Sequence, residues 1–369
     1  MPADAHKKVV LEDSAAHLVI TDSSSTIPAV EITVLIAAEI LASSSAPAAH
    51  SGITALPNPD NCFTNGIFGS NLMAIMYTSG STGRPKGVCL EHAAVVASMA
   101  LEPWAGVCDA DVFAQCSSCG FPGSLHDCWL PLVRGASMVI IPREVLLEPA
   151  AFAATVAQHG ITSAFLTPRV LELYADSAPA SLDGLKRVWV AGEAVRPDAM
   201  ALLAARPSRT QLWNLYGCTE HCGCISGFKV TPDNAQALAS AERCPIGSPT
   251  SGVTVVLLDA DRCVITQPGV QGEIWIAGPQ LSSGYHNLSA VTSERFVLLP
   301  QLAAQGQQPS RFYRTGDLGM WRLPPGGGSN DSDLVLDHMG RAQGVDSMVK
   351  VNGYQVCMTA CGHGLKVVL

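Results

Sequence analysis

Charge is scarce in this chain. Only 14% of its 369 residues are Asp, Glu, Lys or Arg, and 22 basic residues stand against 31 acidic ones, a formal net charge of −9. A nucleic-acid partner requires a basic patch or stripe, so none is expected. Aromatic residues are also few, at 6%. No apolar run is long enough to cross a bilayer: the longest, residues 29–42, carries Glu31 and Glu39 and falls short of the ~20 residues a spanning helix needs. No membrane partner is expected. Met1 to Lys8 lead into no apolar signal-peptide core, and the chain reads as cytoplasmic. No internal repeat is found. Against these absences, 48% of the residues are hydrophobic, enough for a substantial core, and the length suits one large or two ordinary domains.

The 13 cysteines are odd in number and lack the regular spacing of a disulfide scaffold. Cys116 and Cys119 form a C-x-x-C, and Cys218, Cys222 and Cys224 surround His221. A zinc site is one reading of these. Reduced, buried thiols in apolar segments are the favoured one.

The most informative stretch runs from Tyr77 to Gly87, after an apolar run at residues 72–76 that reads as a strand. Thr78, Ser79, Gly80, Ser81, Thr82 and Gly83 lead through Arg84 and Pro85 to Lys86 and Gly87. Glycines let backbone N–H groups turn inward toward an anion, hydroxyls add donors, and one lysine adds a full positive charge. The pattern suits a polyphosphate such as ATP. It is not a Walker A loop, which places the lysine directly after its second glycine.

From residue 72 to 217 strands and helices alternate. Residues 112–114, 137–141, 163–167, 187–191 and 211–216 read as strands; 91–101, 150–159, 169–175 and 198–205 read as helices. Alternation of this kind predicts an α/β fold: a large, mostly parallel sheet flanked by helices. After residue 228 the pattern turns β-rich, with strands at 253–258, 272–277 and 334–337 and a mobile surface hairpin or linker at 324–333. The expected parts are 1–227 (α/β), 228–342 (a smaller β-rich subdomain) and 343–369 (hinge and remnant).

The Thr78–Gly87 segment resembles the signature loop of the adenylate-forming, AMP-binding superfamily. Downstream motifs resemble that family in the same order. Asn214, Tyr216, Gly217, Thr219 and Glu220 match N-x-Y-G-x-T-E. Gly284, Tyr285 and Asn287, followed by Thr292, Glu294, Arg295 and Phe296, match the pattern G-Y-x-N-x-x-x-x-T-x-E-R-F of nonribosomal peptide synthetase adenylation domains. Tyr313 to Leu318 matches Y-R-T-G-D-L, and Gly340, Arg341 and residues 349–353 resemble the interdomain hinge.

The resemblance implies attack of a substrate carboxylate on the α-phosphate of ATP, giving an acyl-adenylate and pyrophosphate, then loading onto the phosphopantetheine of a carrier domain. ATP and Mg²⁺ are the implied cofactors; carrier and condensation domains are the implied partners. An acyl- or aryl-CoA ligase, or a non-catalytic remnant, is the alternative. By the same resemblance residues 78–87 hold the β- and γ-phosphates, Tyr216 stacks near the adenine and Thr219 contacts the α-phosphate. Glu220 binds Mg²⁺ through oxygen. Asp317 accepts from the ribose hydroxyls, with Arg341 beside it. Lys86, Thr219 and Glu220 are the implied catalytic residues.

The acyl pocket implied by the resemblance is lined by Phe121, Pro122, Gly123 and His126, with Trp189, Ala191, Leu215, Gly223 and Cys224 as further walls. Most amino-acid-activating members carry Asp where Pro122 stands, to pair with the substrate ammonium. Proline offers no charge, and an unpartnered buried ammonium is costly. The expected substrate is therefore an aryl, keto or hydroxy acid, or else the domain is inactive, unless the alignment slips, in which case Asp127 is the nearby acid.

The resemblance also implies a longer enzyme. Family members begin upstream of the position of Met1 and carry a mobile C-terminal subdomain after the hinge, expected to be missing here. Gln343, Gly344 and Val345 look inserted, and the tail after Val356 no longer resembles the family. The chain is accordingly expected to be truncated, to bind ATP weakly at best and to adenylate very slowly or not at all.

Overall fold

Helices in the α/β part start where proline pre-sets the backbone. Pro149–His159, Pro168–Ser177, Pro197–Ala204 and Pro232–Ala239 all carry proline in the first turn, where its missing N–H removes no helical hydrogen bond. Gly160, at φ 63°, ends the first of them. Between these helices run short, apolar strands. The structure is a computed structural model that describes residues 3–16, 18–21, 33–36, 68–78, 84–100, 106–302, 310–327, 334–342, 348–351 and 354–357.

Seven strands form the main sheet, in the order Ser248–Pro249, Gly223–Val230, Gln211–Cys218, Arg187–Val190, Ser163–Leu166, Val112–Gln115 and Ser137–Ile140. The last five are parallel to one another; the first two are antiparallel. The chain enters at Val112–Gln115, steps outward to Ser137–Ile140, then crosses back to Ser163–Leu166 on the other side. That reversal leaves a crevice at the carboxyl ends of the strands, where open α/β sheets bind ligands.

Period-two alternation sorts the side chains. Val188 and Val190 face a core with Phe152, Leu171, Tyr174 and Met200. Trp189, between them, faces the opposite core with Phe113, Leu130 and Met99.

A second, wholly antiparallel sheet is built on the 12-residue strand Arg311–Arg322. It pairs with Gln271–Ala277, Phe296–Leu298 and Val335–Arg341, and Thr254–Leu258 joins the far edge of Gln271–Ala277. A three-stranded sheet holds Leu72–Thr78, Lys86–Glu91 and Gly284–Tyr285. Leu18–Thr21 pairs in parallel with Thr33–Ile36, and Met348–Val351 with Tyr354–Cys357 in antiparallel fashion. Among the described residues no helix is long and apolar enough to cross a membrane.

The expected boundary at 227/228 falls inside the strand Gly223–Val230, which belongs to the main sheet. Phe228, Val230, Ala235 and Leu238 fill the α/β core, so their apolar spacing served the first layer, not a second subdomain. The β-rich part begins after Pro249. The strand Arg311–Arg322 was not anticipated, because glycines and charges interrupt its apolar alternation. Arg322 pairs with Val335 across the expected 324–333 hairpin, of which 328–333 lie outside the described residues. So do residues 343–347, where the insertion is expected.

Candidate functional site

Two hairpins and one long strand supply the site. In the first, Leu72–Thr78 pairs with Lys86–Glu91 and sets Thr78 opposite Lys86. Ser79, Gly80, Ser81, Thr82 and Gly83, between them, lie outside the described residues. In the second, Gln211–Cys218 passes through a 3₁₀ turn, Thr219–His221, into Gly223–Val230. Cys222 takes a left-handed conformation, φ 50°, to reverse the chain. The reversal is so tight that a Cβ on Gly217 would lie 1.7 Å from the Gly223 carbonyl oxygen. Gly223 itself sits at φ 108°, and a Cβ there would lie 2.0 Å from the His126 ring. These glycines allow Thr219 and Glu220 to stand at the strand end, facing the crevice.

Two adjoining cavities open there, of about 380 Å³ and about 630 Å³. They share Thr78, Gly192, residues 215–218 and Glu220. The smaller is walled by Phe121, Pro122, Gly123 and His126, by Phe165 and Ala191, and by Gly223 and Cys224. Thr219 and Tyr77 line its mouth. The His126 ring stacks on Phe165 at 5.9 Å, and burial pulls its pKa down to about 4, so the imidazole is neutral near pH 7. The cavity is therefore mainly aromatic and glycine-walled, with no cation from His126.

The larger cavity gathers charge. Lys86, Arg169, Arg295 and Arg341 line it with Glu220 and Asp317. Asn214 lines it too and donates from its amide to the Pro245 carbonyl at 2.7 Å. Asp317 accepts from the Tyr216 hydroxyl at 2.6 Å and from Arg341 Nη1 at 2.7 Å, and His338 Nε2 lies 3.6 Å away. Burial opposes ionisation of Asp317, but His338, Arg341 and Tyr216 outweigh it and hold the carboxyl well below its usual range. The Tyr216 ring is buried and lines both cavities, with His338 tilted against it at 5.8 Å. Glu220 accepts at Oε1 from the Tyr285 hydroxyl at 2.7 Å.

Two expected site residues lie elsewhere. Trp189 lines neither cavity; it is 1% exposed and stacks on Phe113 at 5.8 Å, on the core side of its strand. Gly87 also lines neither, lying in the strand behind Lys86. Asp127 is closed off as an alternative ammonium partner. Its side chain is fully buried, and Oδ2 accepts the Cys116 and Ser117 N–H groups at 3.0 and 2.7 Å. Burial raises its pKa against those hydrogen bonds. Among the described residues no group of three or more His, Cys, Asp or Glu gathers as a metal site. Cys222 and Cys224 are buried, as expected of apolar thiols, whereas Cys119 is exposed.

Sequence reasoning gave no role to His338, Tyr285, Tyr313 or Phe165. Tyr285 and Tyr313 stood inside quoted motifs, so a signal existed. His338 and Phe165 reach the cavities only through sheet pairing, and no spacing in the chain announces them.

The chain belongs to the AMP-binding enzyme family, whose model matches residues 3–286. It is similar to malpibaldin synthetase of Mortierella alpina, 32% identical over 355 residues, covering 94% of this chain and 6% of that protein. It is also similar to tyrocidine synthase 3 of Brevibacillus parabrevis, 31% identical over 301 residues, covering 81% of this chain and 4% of that protein. The chain thus spans a small fraction of these synthetases. Among solved structures, it superposes on holo-PA1221, a nonribosomal peptide synthetase protein containing adenylation and PCP domains, with a TM-score of 0.79 and 25% identity over 97% of this chain and 56% of that one. The artificially fused NpsA-ThdA didomain from Klebsiella oxytoca shares the fold, with a TM-score of 0.77 at 23% identity over 97% of this chain and 65% of that one.

Proposed function

We propose that this chain is an adenylation domain that activates a carboxylic acid with ATP. The substrate carboxylate oxygen attacks the α-phosphorus, the bond from that phosphorus to the bridging oxygen breaks, and pyrophosphate leaves. The observation that carries this reading is the pair of adjoining cavities, one apolar and one charged, joined at Thr78, Tyr216 and Glu220. An acyl group in the smaller cavity and a nucleotide in the larger would meet at that junction. Holding two reactants in contact supplies much of such a rate enhancement.

In the larger cavity Asp317 and Arg341 suit a ribose, Tyr216 and His338 an adenine face, and Lys86 with Thr78 the β- and γ-phosphates. Thr219, on the wall of the smaller cavity, is the proposed contact for the α-phosphate. Glu220 fits Mg²⁺: it is a hard oxygen ligand at the junction, and Mg²⁺ bound to a nucleotide commonly takes one or two carboxylates beside phosphate oxygens. Bound there, Mg²⁺ would neutralise triphosphate charge.

The acid is one without an α-ammonium group. Pro122 contributes no charge, Asp127 is committed to backbone amides, His126 is neutral, and the carboxylate that both cavities share, Glu220, is assigned to Mg²⁺. Aryl, α-keto and α-hydroxy acids suit these walls. The phosphopantetheine thiol of a carrier domain is the proposed acceptor, with condensation domains further along the same assembly. The test is ATP–pyrophosphate exchange over a panel of aryl, keto, hydroxy and amino acids, followed by acyl transfer to a holo-carrier domain or to free coenzyme A. Exchange with a neutral-substituent acid and transfer to the carrier supports the reading. Absence of exchange with every acid would remove it, and transfer to coenzyme A alone would make the chain a CoA ligase.

A further inference from the structure

The G-Y-x-N segment has no chemical task in the reading above, yet it is tied to both halves of the phosphate end of the site. Gly284 and Tyr285 pair with Cys89 and Val88, on the strand that begins at Lys86, and His286 N–H donates to the Gly87 carbonyl at 2.7 Å. Ser282 N–H donates to the Glu220 carbonyl at 2.9 Å. Five consecutive residues therefore bridge the lysine-bearing strand and the Thr219–His221 turn.

Tyr285 makes the same link through its side chain. Its hydroxyl lies 2.7 Å from Glu220 Oε1 and 3.3 Å from the Tyr313 hydroxyl, and Lys86 Nζ sits 5.8 Å from its ring centroid. The ring packs edge-on against Phe296 at 5.8 Å, and the residue is only 8% exposed. Tyr285, Tyr313, Lys86 and Glu220 all line the larger cavity. A buried donor with one carboxylate acceptor fixes the orientation of that carboxylate, and a charge-assisted bond of this kind is stronger than a neutral one.

We propose that Tyr285 is a positioning residue for the metal-bound triphosphate: it clamps Glu220 so that the other carboxylate oxygen faces the cation, and it carries Lys86 over its ring beside the same phosphates. The proposal rests on the adenylation reading, and specifically on the role of Glu220. The ring contributes packing and the hydroxyl contributes orientation, which separates the two by one atom. Tyr285→Phe keeps the ring, its contact with Phe296 and its place under Lys86, and removes only the donor.

The experiment is equilibrium binding of AMP, of ATP with chelator and of ATP with saturating Mg²⁺ to wild type, Tyr285→Phe, Glu220→Gln and the double variant, with thermal melting of each. In wild type, Mg²⁺ tightens ATP binding. In Tyr285→Phe that gain falls about tenfold or more, as loss of one charge-assisted hydrogen bond requires. Melting temperature falls modestly with the lost buried bond, while AMP affinity stays at the wild-type value, a pattern that a merely structural role would not give. In Glu220→Gln the Mg²⁺ gain is lost, and adding Tyr285→Phe changes nothing further. A Tyr285→Phe protein with the full Mg²⁺ gain, equal losses for AMP and Mg-ATP, or additive losses in the double variant would each overturn the proposal while leaving adenylation standing. A wild type that binds ATP no more tightly with Mg²⁺ would instead remove the role of Glu220, and the proposal with it.

Discussion

Pro122 stands on the wall of the smaller cavity, and Pro122→Asp would add a carboxylate there beside Glu220, which the cavity shares with its larger neighbour and which is assigned to Mg²⁺. The backbone tolerates the change. Residue 122 opens a helical stretch, its carbonyl accepts the Leu125 N–H at 3.0 Å, and an acid near a helix start is favourable. The magnitude follows from the neighbours. With Asp127 held by two N–H groups and His126 neutral, a bound ammonium finds no counter-charge, and leaving such a charge unpaired in a buried site costs about 3–5 kcal/mol. Partial exposure of Pro122 lowers this to roughly 3 kcal/mol, about a hundredfold in kcat/KM. The assay is ATP–pyrophosphate exchange with matched acids sharing one side chain, an α-amino acid against its α-keto and α-hydroxy counterparts. Wild type should favour the neutral acids by about a hundredfold, and Pro122→Asp should move the ratio toward the amino acid by a similar factor. A wild type that prefers the amino acid, or a ratio unmoved by the substitution, would refute the reasoning about charge in this cavity.

Gly223→Ala should act on the same cavity from the other side. Its φ of 108° and the 2.0 Å approach to His126 add about 1–3 kcal/mol of strain, so melting should drop and KM for the acid should rise more than KM for ATP. Asp317→Asn keeps the shape of a side chain that holds Tyr216 and Arg341. ATP affinity should fall about tenfold, and discrimination against 2′-deoxy-ATP should shrink; unchanged discrimination would place the ribose elsewhere. Asp111 gives an acid-stability expectation. Its burial opposes ionisation, but the Cys108 N–H, Lys186, Thr162 and Arg187 outweigh it and bring the pKa from 3.8 down to about 2. A lowered folded-state pKa stabilises above the ordinary value and is lost as pH falls through the folded one. About 2 kcal/mol should therefore disappear between pH ~4 and ~2, and Asp111→Asn should abolish that slope in denaturation curves measured across the same range.

The parallel layer was legible because its strands are apolar throughout and its helices begin at prolines, so residues 163–166 and 187–190 could be placed within a residue or two. The strand Arg311–Arg322 was not legible, since Gly316, Asp317 and Gly319 break the alternation that a half-buried strand normally shows. Asp317 was still singled out, because a motif survives where a periodicity does not. Trp189 was placed on the wrong side of its strand. A shift of one residue exchanges core for cavity in a sheet, and neighbours in sequence give no sign of which face is which.

The chain's own order of residues determined the chemistry on offer: a glycine- and hydroxyl-rich segment ending in Lys86, a carboxylate at Glu220, another at Asp317, and proline where an acid is common. Local preference and motif spacing are enough for that. Which of these groups meet was decided only by the tertiary structure. Reversal of strand order beside Val112–Gln115 opened the crevice, and antiparallel pairing brought Tyr285 to Glu220 and His338 to Asp317 across 65 and 21 positions of chain. Such contacts depend on register between strands far apart in sequence, and register is set by the packing of whole sheets, which no short stretch of residues contains.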